Sequence, residues 1–411
     1  MNPEIFTVPP QPAASMAPEG PLSGKSLVIQ PDLSVRGWLT DAGSKALAGY
    51  HAVLTATLIS RLKAAGAIIN ASARMAELGF GVNGCAMFQA LASGNFNAGL
   101  MTDTLGEARM AACQAGWWGF KPSWGVLSRH GLTGLVPSME ATGILARTPS
   151  DIAALLAVMA GPDAADASMS PDPPPDFSAD LKISASAGER VRVGVLKECR
   201  EGLGKTAAAA FSGAIDTLIR AGFIIEEMNF PDFPLFSEAH QVIGAVEASS
   251  SAGKYDGVRF GFRAETEGNW NDMYLATRGQ AFGPRIKAFL LQGAYFQFQD
   301  YTAFEAACAL RRRLVNQTAA LFKSVDLLVL PTRPETPNPF SAETVPDTYG
   351  AFHFTLPANL AGLPALHVPG ASPASGNKNT DFGIQLMGPP MSDAGVISAG
   401  LQLFSTIQGA F

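Results

Sequence analysis

Glu107 and Cys85 are the two side chains whose sequence surroundings most suggest chemistry. Glu107 lies in the stretch DTLGEARM, residues 103–110, and a carboxyl group can serve as a general acid or base. It can equally be the hydrogen-bonded relic of a degenerate site, and both interpretations stay open here. Cys85 lies in VNGCAMF, residues 82–88, and a thiol becomes a nucleophile only when a base activates it. No histidine or lysine stands near Cys85 in the sequence, so we expect a buried, inert thiol.

The remaining histidines and cysteines indicate no metal site. No HxxxH, HExxH or CxxC spacing occurs among them. They stand at His51, His130, His240, His353, His367, Cys85, Cys113, Cys199 and Cys308. We therefore expect no metal and no cofactor. Scattered cysteines of this kind are typical of a reducing compartment, either the cytoplasm or an organelle interior.

The composition gives no sign of a nucleic-acid-binding patch or of a membrane span. The 411-residue chain carries a net charge of −6 and has no block of Lys or Arg, so no nucleic-acid-binding patch is evident. No run approaches the 18 apolar residues of a membrane span. Residues 1–20 are Pro-rich and lack the features of a signal or transit peptide. We expect them to form a flexible arm, ordered only by a partner if at all.

Helical and strand patterns alternate along the rest of the chain. Amphipathic helices are predicted near residues 51–66, 86–94, 150–161, 205–222 and 301–324, and apolar strands near 191–196, 223–231 and 324–332. A Pro-rich surface excursion interrupts them at 162–190. This order predicts an α/β fold in one domain, 21–411, with a mixed, mainly parallel sheet covered by helices on both faces. Trp117 and Trp118 are expected in a helix, as core residues.

The segment DTLGEARMAACQAGWWGFKPSWGVLSRHGL, residues 103–132, resembles the core signature of the amidase-signature family without a gap. Downstream, EASSSAGKYDGVRFGFRAE and FTLPANLAGLPALHVPG resemble one branch, the A subunit of the glutamyl/aspartyl-tRNA amidotransferases. Long gapless matches are specific. The resemblance implies an amidase-signature fold and amide hydrolysis by a Ser–Ser–Lys arrangement.

The resemblance places non-standard residues at all three catalytic positions. Gln30 falls at the lysine, Asn83 at the loop serine and Glu107 at the nucleophile. About twenty residues that usually precede the serine loop are missing here. The loop Thr104, Leu105 and Gly106 corresponds to the oxyanion-binding turn. We expect the Glu107 carboxylate to accept the N–H groups of that turn and so fill the oxyanion hole.

The substrate pocket that the resemblance implies is altered as well. Phe260 stands at an expected tyrosine and Phe352 at an expected aspartate, whereas Arg312 keeps the family's arginine. Arg109, Lys121 and Arg129 match the signature, and we expect them to hold loops rather than to act on a substrate.

These departures predict a catalytically inactive scaffold in a larger assembly, similar to the A subunits of amidotransferases. The family's A subunits work with B and C subunits, so we expect a hetero-oligomer. One alternative is an active amidase or glutamine-dependent amidotransferase subunit that uses non-standard residues. Another is a ligand sensor that binds in the old pocket without turnover.

Overall fold

A computed structural model describes residues 6–7, 19–177, 190–334, 338–370 and 382–409. Most of the predicted arm (1–20) and part of the predicted surface excursion (162–190) lie outside these residues. The division into an arm and one domain therefore stays a prediction. Within the described ranges, no helix combines the length and the apolar character needed to cross a membrane.

Eleven strands form one sheet among the described residues. In chain order they are β1 Phe6–Thr7, β2 Ser26–Ile29, β3 Ile68–Ala73, β4 Ala98–Asp103, β5 Trp118–Lys121, β6 Ala141–Ala146, β7 Arg192–Leu196, β8 Ile224–Met228, β9 Leu327–Pro331, β10 Ala365–Pro369 and β11 Gly383–Met387. Their spatial order is β1-β3-β2-β4-β6-β5-β10-β11-β9-β7-β8.

The mixed sheet is confirmed, but the expectation that it is mainly parallel is wrong. Four pairs of described strands are parallel, at the two ends of the sheet: β2 with β3 and β4, and β7 with β8 and β9. The other six pairs are antiparallel and make up the middle of the sheet and the β1 edge. Apolar periodicity identifies a strand but not its neighbours, which explains the error.

Thirteen α-helices accompany the sheet in the described part of the chain. They are α1 Thr57–Ala64, α2 Met87–Ala92, α3 Glu107–Ala115, α4 Pro149–Met159, α5 Glu198–Glu201, α6 Lys205–Arg220, α7 Leu235–Ser251, α8 Trp270–Ala281, α9 Pro284–Phe298, α10 Tyr301–Leu321, α11 Val345–Phe352, α12 Leu356–Leu360 and α13 Asp393–Gln408.

Helices cover both faces of the sheet, as predicted. Along β9, Leu328 and Leu330 belong to one apolar cluster, and Leu327 and Val329 to a second. Alternation of this kind places the two clusters on opposite faces of the sheet. Helices α2, α3, α7, α9 and α10 contribute to the first cluster, and α1, α4, α6 and α13 to the second. Both faces of the central strands are therefore buried.

Trp117 and Trp118 are buried, as predicted, but they do not lie in a helix. Helix α3 ends at Ala115 because Gly116 adopts the left-handed conformation, with φ of 67°. Glycine takes this conformation without a steric penalty and commonly ends helices in this way. Trp118 then begins β5.

Candidate active site

The candidate site lies where β2, β3 and β4 end. These strands are parallel neighbours, so their carboxyl ends share one edge of the sheet. Gln30 follows β2, the segment 74–86 follows β3, and the loop 104–106 follows β4 and leads into α3. Parallel sheets commonly bind ligands outside the carboxyl ends of their strands. Two of the predicted catalytic positions, Gln30 and Glu107, therefore lie at the same edge of the sheet.

The turn between β4 and α3 depends on Gly106. Its φ of 128° lies in the range that disfavours residues with a side chain. A Cβ atom at this position would also lie 2.3 Å from Cβ of Thr355. The sharp turn directs the backbone N–H groups of the loop toward the first residue of α3, which is Glu107.

Glu107 is buried, with 1% of its surface exposed. Its Oε2 accepts hydrogen bonds from the backbone N–H groups of Thr104 (2.7 Å), Leu105 (2.7 Å) and Gly106 (3.1 Å). Its Oε1 accepts the N–H of Gly81 at 3.0 Å. The predicted contact between this carboxylate and the 104–106 turn is therefore present.

Burial, followed by the negative charge of Asp103, raises the pKa of Glu107 to about 7, although the backbone N–H donors oppose this shift. No Lys or Arg forms a salt bridge with Glu107 within the described chain. Glu107 is therefore a carboxyl group that can give up or take a proton near neutral pH.

Gln30 contacts Cys85, not Asn83. Gln30 Nε2 lies 3.6 Å from Cys85 Sγ, and Gln30 Oε1 accepts the N–H of Thr102 at 3.1 Å. Asn83 is half-buried, and its Nδ2 donates to the carbonyl oxygen of Ala342 at 3.1 Å. The structure thus places Cys85 beside Gln30, whereas Asn83 is hydrogen-bonded to a different segment of the chain.

Two further groups beside Gln30 are shifted toward their neutral forms. Burial raises the pKa of the Cys85 thiol to about 11, which fits the expected inert thiol. Burial raises the pKa of Asp32 to about 6, against the opposing effect of its hydrogen bond from Thr102. Asp32 Oδ1 is buried and has no hydrogen-bond partner among the described residues.

Arg109 has a structural role beside the site, which agrees with the expectation that it holds loops rather than acts on a substrate. Its guanidinium group forms a salt bridge with Asp103 (3.0 Å) and donates to the carbonyl oxygen of Thr355 (3.0 Å) and to Gln385 Oε1 (2.7 Å). It also donates to Asn359, whose amide in turn donates to Asp103. These bonds tie β4, α12 and β11 together.

Lys121 and Arg129 also hold loops. Lys121 Nζ donates to the carbonyl oxygen of Pro122 at 2.7 Å, and burial lowers the pKa of Lys121 to about 7. Arg129 forms an ion pair with the buried Glu140. Glu140 in turn accepts the N–H groups of Leu135 and Val136.

His240 and Tyr349 support the 104–106 turn, and no sequence pattern identified either of them. His240 Nε2 lies 3.0 Å from the carbonyl oxygen of Thr104, and His240 Nδ1 lies 3.0 Å from the Tyr349 hydroxyl. Burial lowers the pKa of His240 to about 4, so the ring is neutral. Because a carbonyl oxygen only accepts, Nε2 carries the proton and Nδ1 accepts from Tyr349.

The predicted substrate-pocket residues do not form one group. Arg312, which the resemblance placed in the substrate pocket, is instead exposed. Its neighbour Arg311 points inward instead and donates to Ser138 Oγ (2.8 Å) and to the carbonyl oxygen of Leu360 (2.8 Å). Phe352 is fully buried in the apolar core, and Phe260 is half-buried. Within the described ranges, no group of three or more His, Cys, Asp or Glu side chains is arranged to hold a metal.

The family model named Amidase matches residues 10–89 and 84–397. The chain belongs to the amidase family. The two matched parts overlap at residues 84–89, the segment that contains Cys85. The recognised signature and the mixed α/β fold are therefore confirmed.

Two relatives match almost the whole chain. Both are the A subunit of a glutamyl-tRNA(Gln) amidotransferase. The one from Natronomonas pharaonis is 32% identical over 411 residues, 94% of this chain and 96% of its own length. The one from Thermus thermophilus is 33% identical, over 95% of this chain and 86% of its own length. The similarity to the A subunits of amidotransferases is thus confirmed.

A solved structure supports the fold independently. It is the crystal structure of the glutamyl-tRNA(Gln) amidotransferase A subunit from Thermotoga maritima, which superposes with a TM-score of 0.76 at 24% identity. The superposition covers 95% of this chain and 85% of that chain.

These comparisons contradict the expectation of an inactive scaffold, and with it the pseudoenzyme interpretation. The family and both relatives are named for amide chemistry. Departure from a Ser–Ser–Lys pattern does not by itself remove activity, because a buried carboxyl group that titrates near neutrality can also move protons.

Proposed function

We propose that this chain is an amide-cleaving enzyme subunit of the amidotransferase type, with Glu107 as its acid–base group. One observation carries the proposal. A buried carboxyl group whose pKa is about 7 lies against three backbone N–H groups at the start of a helix. Converging N–H donors of this kind stabilise the oxyanion formed when an amide is attacked. The family and the relatives' names support the reaction class.

We further propose that Gln30, Asn83 and Glu107 stand where the family has its lysine, loop serine and nucleophilic serine. The reaction would then use a water molecule as the nucleophile, since neither Gln30 nor Asn83 titrates and the Cys85 thiol stays protonated. Asp32, with its pKa of about 6, is a second titrating carboxyl group nearby.

The proposed steps follow from the hydrogen bonds of Glu107. A substrate carbonyl oxygen takes over the N–H groups of Thr104, Leu105 and Gly106, and the displaced carboxylate removes one proton from water. The water oxygen forms a bond to the carbonyl carbon. The C–N bond then breaks as Glu107 returns the proton to the leaving nitrogen, which yields a carboxylic acid and ammonia. The carboxylate must leave the N–H groups for this to occur, so the resting site is closed.

The substrate class is a small carboxamide. Phe260 and Phe352 stand where the resemblance implies polar residues that hold glutamine, so a panel of glutamine, asparagine and simple amides is appropriate.

Because both relatives are named as subunits, we propose that this chain also works in a hetero-oligomer. Purification at native expression followed by size-exclusion chromatography is expected to give a species larger than this chain alone. A stable solitary monomer would count against the subunit role.

Ammonia release by the purified assembly tests the proposal. We expect Glu107→Gln, which keeps the shape but cannot titrate, to reduce the rate at least about 100-fold. Glu77→Gln is the matched control. Glu77 is a half-buried carboxyl group with a raised pKa. It accepts hydrogen bonds from Ser44 Oγ and from the N–H of Gly283, and neither donor belongs to the 104–106 turn. Equal activity in wild type and Glu107→Gln, or no ammonia from any amide tested, would overturn the proposal.

A further inference from the structure

Helix α9 presents an apolar stripe to solvent. The exposed positions of this helix are Pro284, Ala288, Leu291, Tyr295 and Phe298. Successive members are three or four residues apart, so they follow one another along a single side of the helix. The stripe is about 21 Å long, at a rise of about 1.5 Å per residue.

The stripe concentrates large apolar side chains that are scattered elsewhere on the surface. Leu291, Tyr295 and Phe298 are 69%, 53% and 78% exposed, and no other helix within the described ranges carries three such side chains. Tyr301, which is 54% exposed, begins α10 directly after the stripe. Single exposed apolar side chains are common, but a contiguous patch of them marks a binding surface.

Packing on the opposite side fixes α9 in place. Phe289 stacks on Phe80 with ring centres 4.3 Å apart. Gly293 lies so close to α7 that a Cβ atom at this position would be 1.9 Å from the carbonyl oxygen of Ala245. The stripe is therefore a fixed part of the folded chain, and binding to it requires no rearrangement of the helix.

Charged residues stand only at the two ends of the stripe. The run AFLLQGAYFQFQ, residues 288–299, contains none. Arg285 and Lys287 precede this run, and Asp300 and Glu305 follow it. A second copy of α9 that lay antiparallel would set cations against acids at both ends, whereas a parallel copy would set like charges together.

The area of the stripe approaches what a stable dimer needs. Aromatic side chains contribute about 150–250 Å² each when fully exposed, so the exposed parts of Leu291, Tyr295, Phe298 and Tyr301 amount to about 500 Å². Specific interfaces bury about 600–1,000 Å² on each partner, and Ala288 adds to the available area. Aromatic enrichment and absence of charge are also typical of the centre of an interface.

We propose that the α9 stripe is the contact surface between two copies of this chain. A twofold axis crosses α9 near Tyr295, so that the two helices run antiparallel and Leu291 of each copy packs against Phe298 of the other. Lys287 of each copy then lies toward Asp300 of the other. A twofold contact closes on itself, which gives a dimer and not a filament. The dimer goes beyond the proposed function, because its interface uses none of the residues assigned to the reaction.

Sedimentation velocity of the full chain expressed alone tests the dimer, because no other subunit is then present to add mass. We expect the average mass to rise from one chain to two between about 1 and 100 µM. Phe298→Glu buries an unpaired charge in the contact and should raise the dissociation constant at least about 100-fold. Leu291→Lys alone should weaken the dimer similarly. Together the two changes should restore the dissociation constant to within about tenfold of wild type, because the new charges meet across the axis.

Ile219→Glu is the matched control. Ile219 is 54% exposed on α6, which packs on the opposite face of the sheet, so its replacement should leave the dissociation constant unchanged. Thermal unfolding confirms that each variant is folded. The inference is overturned if the wild type stays a single chain at about 100 µM, if Phe298→Glu and Ile219→Glu act alike, or if the double variant associates no better than Phe298→Glu.

Hydrogen exchange of α9 in the same samples identifies what covers the stripe. We expect protection at residues 288–299 to increase as the chain alone is concentrated. Protection that appears only in the native assembly would show that a different subunit covers the stripe, and it would overturn the dimer. Ammonia release is a separate measurement, so a dimer without amidase activity would contradict the proposed function and leave this inference standing.

Discussion

Asp103 and Glu107 stand on the same strand–turn–helix segment and are both buried, yet their surroundings differ. Asp103 pairs with the Arg109 guanidinium, whereas the hydrogen bonds of Glu107 within the described chain come from backbone N–H groups. Burial would raise the pKa of Asp103, but the charge and hydrogen bonds of Arg109 outweigh it and hold that pKa below its ordinary value. The pKa of Glu107 instead rises to about 7.

The contrast shows that the partner, not the depth of burial, decides which carboxyl group titrates near neutrality. The Asp103–Arg109 pair is a fixed charge pair that joins three elements of the fold. Glu107 is a proton-exchanging group held in place by that framework. Buried groups with strongly shifted pKa values are found preferentially at functional sites.

Removing the cation should have the largest effect. Arg109→Met leaves Asp103 as an unpaired buried charge, and we expect the free energy of unfolding to fall by about 3–5 kcal/mol. Chemical denaturation measures this change. Arg312→Met, on an exposed side chain, is the control and should change stability by less than about 0.5 kcal/mol. A loss below about 1 kcal/mol for Arg109→Met would show that the pair does not organise the framework.

Glu107 should reveal itself in the pH dependence of stability. Its pKa is raised in the folded state, from 4.5 to about 7, so between these pH values the native protein holds a proton that the unfolded chain has lost. The contribution of Glu107 to the free energy of unfolding is therefore complete below pH 4.5, and it is lost as the pH rises to about 7. Relative to Glu107→Gln, wild type should lose about 3 kcal/mol across this window.

Denaturant unfolding of both proteins at pH 4.5, 6 and 8 measures that difference. Other titrating groups, such as Asp32, are present in both proteins and cancel in the comparison. Parallel pH profiles for wild type and Glu107→Gln would mean that Glu107 titrates normally, and the contrast with Asp103 would disappear.

Gln30 should stabilise the part of the site near Glu107 through one buried hydrogen bond, from the N–H of Thr102. Gln30→Leu leaves the buried N–H of Thr102 without its acceptor, so we expect a loss of about 2 kcal/mol in unfolding free energy. Gln402→Leu is a matched control, because Gln402 also bonds the backbone, at Ala221, but is exposed. Equal effects of the two changes would argue that Gln30 is not held in a buried network.

Alkylation of Cys85 is the test with the smallest expected effect, because no reaction of this thiol is expected in the folded protein. Because burial raises the pKa of its thiol to about 11, the folded protein should not react at Cys85 with iodoacetamide at pH 8. The exposed Cys308 should be labelled in the same sample and serves as an internal control. Mass spectrometry of tryptic peptides measures both. Labelling of Cys85 at the rate of Cys308 would identify an activated thiol and shift the chemistry away from Glu107.

The sequence predicted the family, the alternation of helices and strands and the contact of Glu107 with its turn, since local motifs specify each of these. It did not predict that Cys85 lies beside Gln30, because that contact joins two residues that are far apart in the chain. It selected Arg312 over Arg311, and one residue rotates a helical side chain by about 100°. His240 was missed because its contacts with Thr104 and Tyr349 join residues distant in the chain.

The pH dependence of ammonia release by the wild-type assembly tests the role of Glu107 most directly. If Glu107 acts as the base, the rate rises with pH and levels off with an apparent pKa near 7, matching the value that burial gives this carboxyl group. A rate that is constant from pH 5 to 9, or one that rises only above pH 9, would contradict the assignment of Glu107 as the acid–base group.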